Sequence, residues 1–382
     1  MKCLLIDVGS TSLKSAVYDA RLGEKGDVRR CPFPDPLRSE PPFFEVEPEE
    51  ILAAVHTLID EAMPLDAICF SVQMHGYLLG DATGRAVTPY ISWQDERSMR
   101  LPEDRRYAFA LPASRGVAKK PNLPLAGLHM MRLKQPRLFR LASRVYSLGS
   151  FIAHDLTGRN AAHITDLAPM GAYDARSGVM EETGLPSLEF PQALTSFAPV
   201  GTHRGAQVYA PVGDQQASTM GSGLSPSEYL LNLGTATQVC AVSEQPVYGE
   251  FESRPYFDGQ TLCTVTRLTG GRTIAERIDE TGLDKALAAE YAAALAKLPT
   301  RDKLLAVGGV STHFPELIQA VLDRIGIEYA VRPEADALDG LIELIQKEWP
   351  QDAPIQRDHA QRGAFFKHRG AVSKGGVGIS DH

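Results

Sequence analysis

The chain has 382 residues, more than the roughly 250 to 300 at which a single hydrophobic core stops growing, so two domains are expected. Its residues are 43% hydrophobic and 23% charged, which is typical of a soluble globular protein. The formal net charge of −8 argues against a nucleic-acid-binding surface. We therefore expect a mildly acidic soluble enzyme that has no nucleic-acid partner.

The cysteines and the apolar runs indicate a cytoplasmic protein without a membrane partner. Five scattered cysteines form no C-x-x-C pair, which predicts reduced thiols and disfavours a structural zinc site. The first apolar run is interrupted by Asp7, unlike the core of a signal peptide. No stretch approaches the roughly 18 apolar residues that would span a bilayer.

In chain order, the first predicted strand runs directly into an acid, a glycine and three hydroxyl residues, followed by a lysine: Asp7, Gly9, Ser10, Thr11, Ser12 and Lys14. Gly9 lets the backbone approach a ligand closely, so that N–H groups and hydroxyls can face phosphate oxygens. Lys14 could reach the same oxygens, and Asp7 could hold Mg²⁺ directly or through water. The alternative is an ordinary hairpin turn leading to a second strand at 15–19. The segment is neither a P-loop nor a G-x-G-x-x-G motif.

Strands and helices then alternate along both halves of the chain, which predicts an α/β protein. In the first half we expect a helix from Pro48, strands at 67–72, 86–93 and 144–148, a surface excursion at 102–124, and a helix at 151–156 closed by Gly158. In the second half we expect strands at 208–211, 229–233, 239–242 and 304–307, and helices at 215–220, 283–298, 314–325 and 336–347.

A glycine-hydroxyl loop follows an early strand in each half, at 9–12 and at 234–237. This repetition suggests a duplicated unit. Two such domains facing one another would place both loops at one cleft.

Several segments resemble, in order, the motifs of the FGGY carbohydrate kinases of the actin and hexokinase superfamily. They are the loop at 7–14, Gln73-Met74-His75-Gly76, the segment 93–97, Leu156-Thr157-Gly158 with Thr165-Asp166 and Tyr173-Asp174, and the segments 213–217, 233–237 and 307–311. The forms at 93–95, 213–218 and 254–257 resemble the sedoheptulokinase branch. Glycerol kinases carry an arginine and a glutamate where this chain has Met74 and His75, so a ketose fits better than glycerol.

The resemblance implies a two-domain actin-like (ribonuclease H-like) ATPase fold with ATP and sugar in the interdomain cleft. The implied N-terminal domain is 1–200, the C-terminal domain is 201–350, and a basic, glycine-containing tail follows at 351–382. The segment between Thr237 and Gly308 is shorter than the family's usual one, so the second domain is expected to be abridged.

The resemblance also assigns roles. Asp214 is the implied general base and, with Asp7, the implied Mg²⁺ ligand. ATP is expected at the first loop and at Gly234, Thr235, Gly308 and Gly309. The sugar is expected at Gln73, Met74, His75, Trp93, Asp95 and Gln215, with Asp95 and Arg97 at the rim.

Each assignment has a structural alternative that the residues alone leave open. Asp214 suits the N-cap of a helix, His75 and Trp93 could be packed in the core, and a Gly-Gly pair after a strand is by itself a turn.

The implied activity is ATP-dependent phosphorylation of a ketose, sedoheptulose-like or a pentulose, by an enzyme that is a homodimer by default. Other possibilities are a catalytically weak relative that senses sugar or nucleotide, a glycerol or other polyol kinase, and an ATPase coupled to a protein partner. The Q-M-H-G element argues against the last, because it has no purpose without a small polyol.

Overall fold

The computed structural model describes residues 1–100, 123–174, 177–234, 237–332 and 336–349. They form two compact units. Unit 1 contains Met1–Leu224 and Val242–Thr264 together with a helix at Ala337–Glu348, and unit 2 contains Ser225–Ala241 and the described part of Val265–Glu334. The predicted tail, 351–382, and most of the predicted excursion at 102–124 lie outside the described residues.

The strands are, in chain order, β1 (Lys2–Val8), β2 (Ser12–Asp19), β3 (Glu24–Lys25), β4 (Arg29–Pro32), β5 (Pro36–Arg38), β6 (Glu45–Val46), β7 (Ala67–Val72), β8 (Leu78–Gly80), β9 (Tyr90–Ile91), β10 (Arg144–Tyr146), β11 (Ala161–His163), β12 (Gln192–Leu194), β13 (Pro199–His203), β14 (Ala206–Tyr209), β15 (Val212–Gly213), β16 (Glu228–Leu233), β17 (Thr237–Ser243), β18 (Glu252–Pro255), β19 (Thr261–Leu268), β20 (Lys303–Val307) and β21 (Glu328–Arg332).

The α-helices are α1 (Pro48–Ala62), α2 (Pro124–Lys134), α3 (Pro136–Phe139), α4 (Leu148–Thr157), α5 (Ile164–Leu167), α6 (Asp214–Gly221), α7 (Gly271–Arg277), α8 (Leu283–Leu295), α9 (Gly309–His313), α10 (Pro315–Ile325) and α11 (Ala337–Glu348). Short 3₁₀ helices occur at Arg97–Arg100, Ala168–Met170 and Phe257–Gly259.

Unit 1 is built on a mixed sheet with the order β13-β14-β7-β1-β2-β3, in which β15 also pairs with β7 and β4 with β2. Strand β1 is antiparallel to β2 and parallel to β7, and β15 is parallel to β7. Strands β1 and β7 are buried on both faces except for Lys2, which explains their continuous apolar sequence. The parallel pairing brings the carboxyl ends of β1, β7 and β15 to the same edge of the sheet.

Helix α1 begins and packs as its sequence predicts. Pro48 occupies the first turn, where its missing N–H is harmless, and two glutamates in that turn suit the positive end of the helix dipole. One face of the helix is buried in the core of unit 1, through Ile51, Val55, Leu58 and Ile59. Helix α4 ends, as predicted, at Gly158, which has a left-handed φ of 77°.

Unit 2 repeats part of this pairing pattern. Strand β16 is antiparallel to β17, which follows it across the second glycine-hydroxyl loop, and parallel to β20, which is in turn parallel to β21. Strands β16, β17 and β20 are therefore paired as β1, β2 and β7 are in unit 1. This common topology agrees with the predicted duplication.

Helices α6 and α11 cross at close range in unit 1 because two glycines lie at the contact. A Cβ at Gly340 would lie 1.9 Å from the carbonyl oxygen of Ala217, and one at Gly221 would lie 2.2 Å from that of Asp336. The crossing holds the start of α11 beside the sheet edge formed by β1 and β2, where Asp336 meets Lys14.

Some predicted elements differ from the structure. The strand predicted at 86–93 is reduced to β9 and an isolated bridge between Gly80 and Ala86, because Thr88 and Pro89 interrupt the pairing. The compact units also differ from the two predicted domain ranges, since α6, β18 and α11 all belong to unit 1. The five cysteines are thiols, and all except Cys31 are buried.

Candidate active site

The strand register of unit 1 gathers a charged cluster around Asp7. Lys14 on β2 and Ser71 on β7 are the direct cross-strand neighbours of Asp7 on β1. The Ser71 hydroxyl donates a hydrogen bond to Asp7 Oδ1 at 2.5 Å, and Lys14 Nζ lies 3.9 Å from Asp7 Oδ2. Lys14 Nζ is equally 3.9 Å from the carboxylate of Asp336, the N-cap of α11. Lys14 therefore lies between two carboxylates.

Asp214 lies at the same sheet edge, directly after strand β15. Val212 and Gly213 of β15 pair with Ser71 and Val72 of β7, and α6 begins at Asp214 immediately afterwards. The backbone N–H of Gly213 donates to Thr165 Oγ1 at 3.1 Å, which fixes the turn between strand and helix. Asp7 thus lies near the carboxyl end of β1 and Asp214 directly follows β15, and these two strands flank β7.

The surroundings of the cluster raise the pKa of both carboxyl groups. Loss of hydration raises the pKa of Asp7, and the Ser71 hydrogen bond and Lys14 only partly offset it. Loss of hydration and the negative charge of Asp7 raise the pKa of Asp214 to about 7, against the backbone hydrogen bond of Gln215 and the charge of Arg254. A carboxyl group with a pKa near neutrality is suited to accept and release a proton under ordinary conditions.

The structure disfavours the simple N-cap interpretation of Asp214. Gly213 occupies the cap position without a side-chain cap, and Asp214 is the first residue of the helix. Its Oδ1 accepts the N–H of the next residue, Gln215, at 2.8 Å, whereas an N-cap side chain accepts from the second or third helical residue. Asp214 is therefore a first-turn carboxylate, which suits the positive end of the helix dipole, and not the N-cap.

The first glycine-hydroxyl loop is a β-hairpin, so the ordinary turn that the sequence left open is correct as geometry. Gly9 N–H donates to the Ser12 carbonyl at 3.1 Å and closes the turn between β1 and β2. The hydroxyl residues Ser10, Thr11 and Ser12 are exposed or half-buried at its tip. A hairpin whose tip carries hydroxyls beside Asp7 is compatible with the predicted phosphate-binding role.

The predicted sugar-binding residues Gln73, Met74 and His75 follow β7 at the same edge. Gln73 is buried and donates from Nε2 to the Gly9 carbonyl at 3.4 Å, while its Oε1 has no hydrogen-bond partner within the described part of the chain. Met74 is buried and lies against Gly213. His75 is half-buried with a left-handed φ of 65°, a strained conformation that is common at functional sites.

The segment around Trp93 divides into an exposed ring and a buried ion pair. Trp93 is 44% exposed, so core packing is wrong for this side chain. Asp95 and Arg97 are buried rather than at a rim. Asp95 accepts hydrogen bonds from the Phe44 and Arg97 backbone and from the Arg97 guanidinium, which also pairs with Glu45. Both Asp95 oxygens are thus occupied within the protein, and its sugar-binding role stays a prediction.

Two of the predicted nucleotide-binding positions come together within unit 2. Gly308 has φ of 115°, and a Cβ there would lie 2.5 Å from the carbonyl oxygen of Leu233, so a side chain would collide with the end of β16. Gly234 is the residue after Leu233, and its carbonyl oxygen accepts a hydrogen bond from the Gly271 N–H at 2.9 Å. Gly309 begins α9. Thr235 lies outside the described residues.

Three further residues join the site without a distinctive sequence signal. Ser71 and Asp336 meet Asp7 and Lys14 only through strand register and the close crossing of α6 and α11. Asp166 is buried and accepts from the Ser147 hydroxyl at 2.6 Å; burial and the charge of Asp214 raise its pKa to about 7. Among these three residues, only Asp166 had a sequence signal, its position in the Thr165-Asp166 motif.

The donor set around Asp7 fits the predicted Mg²⁺. Asp7 and Asp214 are two carboxylates close enough for the charge of Asp7 to raise the pKa of Asp214, and a divalent cation would relieve that repulsion. Mg²⁺ is commonly bound by one or two carboxylates together with water and substrate phosphates. Within the described residues no group of three or more His, Cys, Asp or Glu side chains forms a complete metal cage.

Comparison with known proteins places the chain in a family. Residues 2–223 match the N-terminal domain of the FGGY family of carbohydrate kinases, so the chain belongs to that family. It is 24% identical to a xylulose kinase of Streptomyces coelicolor over 63% of this chain and 54% of that protein. It is 26% identical to a glycerol kinase of Alkalilimnicola ehrlichii over 71% of this chain and 59% of that protein. The chain thus spans a little over half the length of these curated relatives.

Solved structures show the same fold at low sequence identity. A ligand-bound xylulose kinase from Lactobacillus acidophilus superimposes with a TM-score of 0.81 at 16% identity, covering 91% of this chain and 89% of that one. A gluconate kinase from the same organism gives 0.79 at 15% identity with the same coverage. The predicted α/β, actin-like fold class is confirmed. Among the helices of the described residues, none combines the length and apolar character that crossing a bilayer requires.

Proposed function

We propose that this chain is an ATP-dependent carbohydrate kinase that transfers the γ-phosphoryl group to a hydroxyl of a ketose, sedoheptulose-like or a pentulose. The observation that carries the proposal is the pair of buried or half-buried carboxylates, Asp7 and Asp214, at the carboxyl ends of strands that flank β7 in an FGGY-family chain. Relatives named as xylulose and apulose kinases support a ketose as the acceptor.

The residues around Asp214 suit the chemistry. Phosphoryl transfer depends mostly on positioning and charge neutralisation, with a base for the attacking hydroxyl. Asp214, whose pKa is near 7, would accept the proton of the acceptor hydroxyl. Asp7 and Asp214 would hold Mg²⁺, which, when bound, neutralises charge on the phosphates. Lys14 would favour the charged form of the Asp7 carboxylate and help to orient it.

The remaining roles complete the proposal. The first loop, with Gly9 and the hydroxyls at 10–12, would bind phosphates, and the unit 2 positions Gly234, Thr235, Gly308 and Gly309 would bind the rest of the nucleotide. Gln73, Met74, His75, Trp93, Asp95 and Gln215 would bind the sugar. The Oε1 of Gln73, which has no hydrogen-bond partner among the described residues, supports this assignment, because a buried acceptor without a donor is costly unless a ligand or water supplies one. A cytoplasmic homodimer is part of the same proposal.

The test is ADP release by the purified chain with Mg²⁺ and ATP over a panel of sedoheptulose, D-xylulose, L-xylulose, D-ribulose, L-ribulose and glycerol. In Asp214→Asn, we expect turnover with the preferred ketose to fall by about 10² to 10⁴, as for the loss of a general base, while calorimetric sugar binding is retained. The matched control is Asp60→Asn, on an exposed carboxylate paired with Arg204.

Each result has a definite meaning. Turnover with one ketose names the substrate, and unchanged turnover in Asp214→Asn removes Asp214 from the role of base. Sugar binding without turnover of any acceptor would replace the proposal with a sugar-binding sensor.

A further inference from the structure

A cavity of about 120 Å³ lies in unit 1 next to the helix that begins with Asp214. Its lining includes polar groups from several segments, namely Thr195, Tyr248, Arg254, Tyr256, Gln260 and Thr261. We call it the Arg254 pocket. None of its lining residues is among those proposed to bind ATP, Mg²⁺ or the sugar.

The walls of the Arg254 pocket are held by hydrogen bonds within the protein. Strands β18 and β19 pair antiparallel, with Pro255 opposite Thr261. The Ser253 hydroxyl donates to the carbonyl of Val247 and so fastens the loop that carries Tyr248 against β18. The pocket is therefore a preformed feature of this hairpin and its neighbouring loop.

Two side-chain hydrogen bonds connect this hairpin to α6. Arg254 Nη1 donates to Gln215 Oε1, and Gln216 Nε2 donates to the Pro255 carbonyl at 3.2 Å. Gln215 is the residue after Asp214, and its backbone N–H donates to the Asp214 carboxylate at 2.8 Å. Gln215 consequently connects Arg254, in the pocket lining, to Asp214.

The charge of Arg254 is already balanced. Its Nε and Nη2 donate to Glu252 Oε2 at 3.1 and 2.6 Å, and its side chain is 11% exposed. These bonds and the one to Gln215 use three of the five guanidinium N–H donors. A neutralised, directional donor of this kind suits hydroxyl oxygens, because a carboxylate or phosphate would have to compete with Glu252 and be repelled by it.

Resting on the proposed kinase function, we propose that the Arg254 pocket receives the distal, hydroxyl-bearing carbons of the acceptor sugar, and that Arg254 is a specificity-determining residue. The reacting hydroxyl lies at Asp214, and the far end of the sugar extends past Gln215 to Arg254 and Thr261. The pocket therefore selects pentuloses and longer ketoses over glycerol and dihydroxyacetone, which are too short to fill it.

The test compares long and short acceptors in two variants. Arg254→Met removes the donors at similar length. Thr261→Val removes a hydroxyl from the lining at nearly constant volume and keeps the β18–β19 pairing. We expect kcat/KM for D-xylulose or sedoheptulose to fall about 10- to 100-fold in Arg254→Met and about 3- to 10-fold in Thr261→Val, as for the loss of hydrogen bonds with and without a charged partner. For dihydroxyacetone and glycerol, kcat/KM should fall at least about 3-fold less than for the ketose in each variant, because any effect of Arg254→Met on the charge of Asp214 is common to all acceptors.

Arg144→Met is the matched control, because Arg144 is paired with Glu189 and does not line the pocket. It should leave both classes of acceptor unchanged. An equal fall for long and short acceptors in both pocket variants would overturn the proposal. A preference for gluconate over a neutral sugar of the same length would overturn the hydroxyl assignment and indicate an anion site.

Calorimetric binding of the same sugars without ATP separates this proposal from the kinase function. If the unmodified protein turns over no acceptor, but both pocket variants weaken ketose binding and Arg144→Met does not, the pocket stands and the kinase function fails. If the protein phosphorylates ketoses and neither pocket variant alters the discrimination by chain length, the kinase function stands and the pocket assignment fails.

Discussion

Protonation of His163 should destabilise unit 1 at acid pH. The His163 ring is buried, and its Nδ1 accepts from the Thr165 backbone N–H at 3.3 Å while lying 2.9 Å from Thr165 Oγ1. Because Nδ1 accepts this N–H, it carries no proton, so the Thr165 hydroxyl donates to it while Thr165 Oγ1 accepts from Gly213 N–H. A proton on Nδ1 would break both hydrogen bonds from Thr165 and would disturb the contact between Thr165 and Gly213, the residue before Asp214.

The magnitude follows from the pKa. Burial lowers the pKa of His163 from 6.5 to about 4, although a hydrogen bond to the Thr195 backbone opposes the shift. The folded state therefore binds this proton less readily than the unfolded state. The contribution of His163 to stability is complete above pH 6.5 and is lost as the pH falls towards 4. At about 1.4 kcal/mol per pKa unit, the full loss is about 3 kcal/mol.

The assay is urea unfolding at several pH values between 7.5 and 4 for the unmodified chain and for His163→Asn. The Asn Oδ1 can accept the hydrogen bonds of Thr165 but cannot titrate in this range. We expect the variant to lose about 3 kcal/mol less stability than the unmodified chain over the interval. Exposed His313 gives the control His313→Asn, which should follow the unmodified chain. Parallel curves for His163→Asn and the unmodified chain would show that His163 does not cause the loss of stability at acid pH.

Two further substitutions test a helix contact and a hydrogen bond near the candidate site. Gly340→Ala should lower the free energy of unfolding, measured by urea titration, by about 1–3 kcal/mol because its Cβ would lie 1.9 Å from the Ala217 carbonyl oxygen. Gly309→Ala should be tolerated, since among the described residues the nearest atom to its Cβ would be 3.8 Å away. Equal stability of the two would show that α6 and α11 do not need the close contact. Ser71→Ala removes the donor to Asp7 and should raise the KM for Mg²⁺-ATP several-fold with little change in the KM for sugar; an unchanged KM for Mg²⁺-ATP would separate Asp7 from nucleotide binding.

Local sequence determined most of the secondary structure and the order of the site segments. Periodic apolar residues predicted α1, the apolar run at 67–72 predicted β7, and Gly158 marked the end of α4, because these features depend on neighbours within a few residues. The prediction at 86–93 was wrong in extent because the pairing there is short and is interrupted by Pro89. The motifs at 7–14 and 213–217 predicted Asp7 and Asp214 as site residues from their own segments, and their roles stay predictions.

Tertiary structure alone decided which side chains meet. Register between non-consecutive strands brought Ser71 and Lys14 to Asp7, and the glycine contact between α6 and α11 brought Asp336 to Lys14. Folding likewise buried the ion pair between Asp95 and Arg97. It also brought Arg254 to Gln215, which is 39 residues away in sequence. No local pattern encodes such contacts, because strand pairing, helix crossing and loss of hydration are properties of the whole packed unit.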